Sequence, residues 1–121
     1  MMHQEHKLQQ QLAAWFDSHG ILHCASIGGV NTGVRVGALM KAKGYRKGFP
    51  DHMIFEPRAG YHGCFIEIKV QNTKKSPYQE RWHEELRKKG YYVIVVPGKY
   101  DFWEARRYLE TEIETYLRGK V

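Results

Sequence analysis

Asp51, Glu67 and Lys69 are the residues whose types and spacing could do chemistry. Glu67 and Lys69 stand in "CFIEIKV", Cys64 to Val70, an apolar run interrupted by a carboxylate and an ammonium two residues apart. A buried charge is costly unless it is paired, bound to a metal or neutralised. Residues i and i+2 of a strand share a face, so Glu67 and Lys69 project together with Phe65. Ile66, Ile68 and Val70 then point the other way, into a core. Asp51 opens "DHMIF", a second strand-like run whose predecessor, Pro50, cannot sit in a central ladder. The intervening "EPRAGYHG" carries turn chemistry, so the two runs read as a hairpin with a longer loop. One pairing register brings Asp51 to Glu67 with Lys69 beside them; the sequence leaves that register open.

Two carboxylates are the oxygen ligands that Mg²⁺ prefers, with positions left for water and phosphate. A metal held this way polarises a phosphodiester and activates water, and an adjacent lysine can orient or deprotonate that water. The three side chains are a minimal kit for metal-dependent phosphodiester hydrolysis. An isolated E-x-K is more often an ordinary ion pair on a half-exposed strand. The surroundings favour chemistry. The net charge is +6, and no acid occurs between Asp17 and Asp51, where Arg35, Lys41, Lys43, Arg46 and Lys47 stand. Such a stretch suits phosphate contacts. Arg35, Lys41, Arg46, Lys47, Lys74 and Lys75 are the candidate DNA-binding residues.

The elements that must position these groups follow from periodicity. Leu8, Leu12, Trp15 and Phe16 recur at helical spacing over Glu5 to Phe16, and Gly20 stops that helix. "ILHCASI" reads as a strand, followed by a short helix over about Val34 to Ala42. Ser76-Pro77-x-Gln79 opens another helix as cap, first-turn proline and capping-box glutamine, with a seam of Tyr78, Trp82 and Leu86. "YYVIVV", Tyr91 to Val96, reads as a central strand covered on both faces. Asp101-x-x-Glu104 opens the last helix, whose inner face is Ala105, Leu109, Ile113 and Tyr116. The strand–helix–strand unit predicts a parallel crossover. The fold class is α/β: a small mixed β-sheet flanked by helices.

Other classes recede. At 121 residues there is room for one core, and no apolar run approaches the ~18 residues of a membrane span. The start shows no basic region followed by an apolar run, so no signal peptide is expected. Cys24 and Cys64 read as reduced thiols. "GGVNTGVRVG" lacks the Gly-Lys-Ser/Thr ending of a phosphate loop. The seven histidines have no zinc spacing, and His62 and His83 are expected at the surface.

In order, Glu5, Gly28-Gly29, "KGFPD", "FIEIK", "SPYQ" and "KKGYYVIVV" resemble the VRR-NUC family, the virus-type replication-repair nuclease domain of the PD-(D/E)XK superfamily. Each motif is weak alone; their order and spacing over nearly the whole chain are specific. The resemblance implies a single nuclease domain over residues 1–121 with a restriction-endonuclease-like core. Asp51 and Glu67 would bind Mg²⁺ or Mn²⁺, with the Ile68 backbone carbonyl as a further ligand and Glu5 as another candidate. Lys69 would serve the attacking water and Gln79 would support the site. Free-standing relatives resemble Holliday-junction resolvases. This implies a homodimer acting on branched DNA in the cytoplasm of a bacterial or phage-infected cell. Phe102, Trp103 and Tyr108 are candidates for the dimer contact or, equally, for the core. A flap or single-strand exonuclease and a non-catalytic nucleic-acid-binding module remain the alternatives. His52 departs from the family pattern, which has an apolar residue after "PD".

Overall fold

A computed structural model describes residues 4–26, 33–71 and 73–121. Among these residues four helices and four strands follow in the order α1 (Gln4–Ser18), β1 (His23–Ala25), α2 (Gly33–Ala42), β2 (His52–Ile54), β3 (Cys64–Glu67), α3 (Pro77–Lys88), β4 (Tyr92–Val95) and α4 (Phe102–Leu117). The sheet runs β1-β2-β3-β4. β2 is antiparallel to β1 and β3, while β3 and β4 are parallel. The expected α/β class and mixed sheet are what the structure has. Gly28-Gly29 lies outside the described residues.

Strand alternation divides the core in two. Ile54, Cys64, Ile66 and Ile94 face Leu8, Leu12 and Phe16 of α1 and Ala105, Leu109, Ile113 and Tyr116 of α4. The other face carries Phe65 and Val93, packed against Leu86 of α3, with Phe49, Met53 and Trp82 around them. Each fully buried large apolar side chain contributes about 1.5–3 kcal/mol. The heavier packing on the α1/α4 side therefore anchors the sheet, and α3 closes the opposite face.

Four expectations need correction. β4 lies at an edge of the described sheet, not its centre. It is nonetheless covered on both faces, which is why its sequence is continuously apolar. Tyr78 leaves the α3 seam and is exposed; His83, one turn further on, is fully buried in its place. Of the three dimer candidates, Phe102 is core and Tyr108 half-buried, leaving only Trp103 exposed. The ladder of β3 also stops at Glu67, although every residue through Val70 is buried. Side chains take over there: the Ile68 N–H donates to Asp51 Oδ2 at 2.7 Å and the Val70 N–H to Glu5 Oε2 at 3.2 Å. Two acids thus take up N–H groups on the side where the chain ahead of β2 would have continued the ladder.

Both capping boxes form. Ser76 and Gln79 satisfy each other's backbone N–H at the start of α3, as Asp101 and Glu104 do at α4. Among the described residues no helix is long and apolar enough to cross a membrane. Cys24 and Cys64 are both free.

Candidate functional site

The β2–β3 register pairs His52 with Ile66 and Met53 with Phe65. Continuing it by one residue sets Asp51 opposite Glu67. Met53 shares its face with Asp51, so both carboxylates look toward α3, away from the α1/α4 core. The structure fixes the register that the sequence left open.

Glu67 is 1 % exposed and Lys69 8 %. Two side chains of α3, one turn apart, hold Glu67. Gln79 Nε2 donates to its Oε2 at 3.1 Å, and His83 Nε2 lies 3.2 Å from its Oε1. Gln79 Oε1 accepts from Lys69 Nζ at 3.0 Å and from the Ser76 N–H at 2.8 Å. Lys69 Nζ also donates to the Lys74 carbonyl at 3.3 Å. Asp51, Glu67, Lys69 and Gln79 therefore form one connected group, with the helix cap as a member of it.

Burial, then the Glu67 charge and the hydrogen bond with Glu67, push the Asp51 carboxyl up from 3.8 to about 7. Burial also raises Glu67, while the hydrogen bond from Asp51 and the Lys69 charge draw it down. The two titrate as a pair. Raised to about 7, the Asp51 carboxyl makes its side-chain hydrogen bond with Glu67. Burial first, then the charges of Lys75, Arg87 and Lys69, lowers His83 to about 4. Its imidazole is neutral at pH 7, so the contact with Glu67 is a hydrogen bond from Nε2–H and not an ion pair. His83 Nδ1 is buried without a partner among the described residues. Sequence reasoning placed His83 at the surface. The available signal was its spacing, four residues after Gln79 on one helical face.

Glu5 is half-buried at the edge of this group, and its charge raises Glu67. No three His, Cys, Asp or Glu side chains among the described residues form a ready-made metal cluster. The donor set is the Asp51–Glu67 pair, which is sufficient for Mg²⁺, an ion that keeps several waters and binds through one or two carboxylates. Two carboxylates brought together, with Asp51 raised by burial and by the Glu67 charge, fit a divalent cation.

Behind Asp51 runs a second chain of hydrogen bonds. Gln9 Nε2 donates to the Asp51 carbonyl at 2.9 Å and lies 3.0 Å from His52 Nδ1. His52 Nε2 meets His23 Nδ1 at 2.8 Å, and His23 Nε2 meets Asp17 Oδ1 at 2.7 Å. One tautomer satisfies every link: each ring carries its proton on Nε2 and accepts at Nδ1. Burial, then the His23 charge, lowers His52 to about 4, keeping it neutral against Phe16. The residue that broke the apolar pattern is thus packed and fully bonded, and it ties Asp51 to α1.

Of the basic candidates, Lys41, Arg46 and Lys47 line one groove beside α3. Arg35 is exposed on α2, and Lys74 and Lys75 lie in the connection before α3. A smaller cavity of about 310 Å³ between α1 and α4 contains none of the carboxylate group.

Residues 1–100 match the VRR-NUC domain. The chain belongs to the VRR-NUC family. Solved structures of similar fold include a "VRR_NUC domain protein", 25% identical with a TM-score of 0.69, over 94% of this chain and 88% of that one. Another is a "VRR_NUC domain", 28% identical with a TM-score of 0.57, over 90% of this chain and 97% of that one. No curated protein matches the sequence. VRR-NUC domains are nucleases of the restriction-endonuclease-like superfamily, for which DNA is the substrate and divalent metals the general cofactor. The α/β architecture of this VRR-NUC chain agrees with both structures.

Proposed function

We propose that this VRR-NUC chain is a single-domain, Mg²⁺- or Mn²⁺-dependent endonuclease, selective for branched DNA such as four-way junctions. The observation that carries the reading is the pairing of Asp51 with Glu67 across β2 and β3, with Lys69 alongside through Gln79. Asp51 and Glu67, with the Ile68 carbonyl, would hold the metal, which would supply Lewis acidity and lower the pKa of a water. The chain's residues do the rest. Gln79 and His83 fix the Glu67 carboxylate from one helix face. The Ile68 N–H and the Gln9 bridge fix Asp51 from two sides. Lys69, held by Gln79 Oε1, stands where an ammonium can orient the attacking water and offset charge on the phosphate. Glu5, bonded to the Val70 N–H, completes the acidic rim. Arg35, Lys74 and Lys75 supply phosphate contacts, together with the basic residues of the groove. Paired cuts at a junction call for two sites, which a C2 homodimer provides. Two free cysteines suit a reducing compartment such as the bacterial or phage-infected cytoplasm.

Labelled four-way junction, flap and linear duplex, incubated with Mg²⁺, Mn²⁺ or EDTA, test the reading. Metal-dependent cutting of the junction is expected from the wild type, and none from Asp51→Ala, Glu67→Ala or Lys69→Ala. Full activity in the Glu67 and Lys69 variants refutes the site. Preferential cutting of the flap refutes junction selectivity and leaves the metal site standing.

A further inference from the structure

The groove beside α3 carries aromatic rings that the proposed phosphate contacts do not use. It is about 770 Å³ in volume, and four of its nine lining residues are cationic against one acid. Lys41, Arg46 and Lys47 form one wall; Tyr78, Arg81 and Trp82 of α3 form the other. Trp82 is fixed as a floor: its ring packs edge-on against Phe49 at 4.9 Å, and its Nε1–H donates to the Lys47 carbonyl at 3.1 Å. Tyr78 is 51% exposed, with the Lys47 ammonium over its ring at 4.9 Å.

The groove is coupled in space to the carboxylates. Tyr78 precedes Gln79 in α3. On the other wall, Lys47 precedes Asp51 by four residues, at most about 14 Å of extended chain. Gly48 brings the walls together. Its φ is +89°, and a Cβ there would lie 2.6 Å from the Tyr78 carbonyl carbon. Any side chain at position 48 would therefore push the Lys47–Asp51 segment off α3.

A rigid aromatic floor between cationic walls is the combination that takes unpaired nucleotides, since bases stack on rings and phosphates pair with the cations. Duplex DNA keeps its bases stacked inside and offers a ring nothing to stack on. We propose that this groove holds an unpaired nucleotide of the DNA, a few nucleotides from the phosphodiester at Asp51 and Glu67, its base replacing the Lys47 ammonium over the Tyr78 ring and its phosphate pairing with Arg81 and the released Lys47. The inference rests on the nuclease reading for its meaning. The selected feature of a junction is then the frayed nucleotides at its branch point.

The test is equilibrium binding without divalent metal, comparing a short oligothymidine with a blunt duplex. Tyr78→Ala is expected to weaken oligothymidine binding roughly fivefold to a hundredfold, as loss of one stacked base does, and duplex binding less than about twofold, with the salt slope unchanged. Tyr78→Phe should bind as wild type. Arg81→Ala should weaken both DNAs and reduce the salt slope by about one. An equal loss on both DNAs in Tyr78→Ala, or no loss on either, overturns the proposal. The two readings fail separately. Wild-type cleavage with unaltered Tyr78→Ala binding removes the groove and keeps the nuclease. Selective loss of oligothymidine binding in a chain that cuts nothing keeps the groove and removes the nuclease.

Discussion

Replacing Asp51 by Asn should stabilise the metal-free protein while abolishing its response to metal. In the folded state the Asp51 carboxyl is raised from 3.8 to about 7 by burial and by Glu67. The folded chain therefore keeps this proton up to about pH 7, whereas the unfolded chain releases it near 3.8. Between these values the unfolded state binds fewer protons, so stability falls as pH rises. The full shift corresponds to about 4 kcal/mol above pH 7. Because Asp51 is only partly buried, solvent screening reduces this to about 2–4 kcal/mol. Asn is isosteric: its Oδ1 can accept from the Ile68 N–H and its Nδ2 can donate to Glu67, as the protonated acid does. Asp51→Asn thus keeps both hydrogen bonds at every pH. In EDTA at about pH 8 its Tm should exceed wild type by roughly 5–15 °C, whereas at about pH 5, where Asp51 is protonated, the two should nearly coincide. Circular dichroism melts at the two pH values measure the gap. Adding Mn²⁺ at pH 8 should raise wild type and leave Asp51→Asn unmoved. A variant no more stable than wild type at pH 8, or one with the same advantage at both pH values, refutes the account of two carboxylates held together against their repulsion.

Three further outcomes follow from the same geometry. His83→Gln can keep a donor near Glu67 Oε1, whereas His83→Leu cannot; Mn²⁺ calorimetry should show near-wild-type affinity for the first and roughly a tenfold loss for the second, the size seen when partners of metal ligands are removed. Lys69→Met should bind Mn²⁺ at least as tightly as wild type yet cut junctions about 10²–10⁴-fold more slowly, as removal of a proton-handling group does; single-turnover cleavage reads this. His52 and His83 are both lowered to about 4, so their contribution is present above about 6.5 and lost as pH falls toward 4. In wild type Asp51 works in the opposite direction over the same range and offsets part of this. In Asp51→Asn the acid limb should emerge as a fall in Tm between about pH 6.5 and 4.

The helices were legible because their periodicity and caps are local properties. Ser76 with Gln79 and Asp101 with Glu104 both make the reciprocal bonds that their spacing predicts. The partition of Glu67 and Lys69 from Ile66 and Ile68 was legible for the same reason, since a period of two needs no partner. Three features depended on contacts across the fold. The position of β4 at the sheet edge is set by which strand pairs with which, and a run covered by helices on both faces reads alike in either place. The exchange of Tyr78 for His83 as a buried residue turns on a carboxylate of another element that needs a donor. His52 looked misplaced because its partners, Gln9 and His23, lie 43 and 29 residues away.

Gln79 restricts how this sequence can drift. At the third position of a capped helix, Glu serves as well as Gln, so local structure would accept either. Here the amide nitrogen is committed to Glu67 and the amide oxygen to both Lys69 and the Ser76 N–H. Glu at 79 would keep the cap and the lysine but set a third negative group against Glu67, with no hydrogen to offer it. Of the two residues that the helix tolerates, only the one carrying both a donor and an acceptor is admissible. A single-atom exchange, nitrogen for oxygen, separates a folded chain with this centre from a folded chain without it.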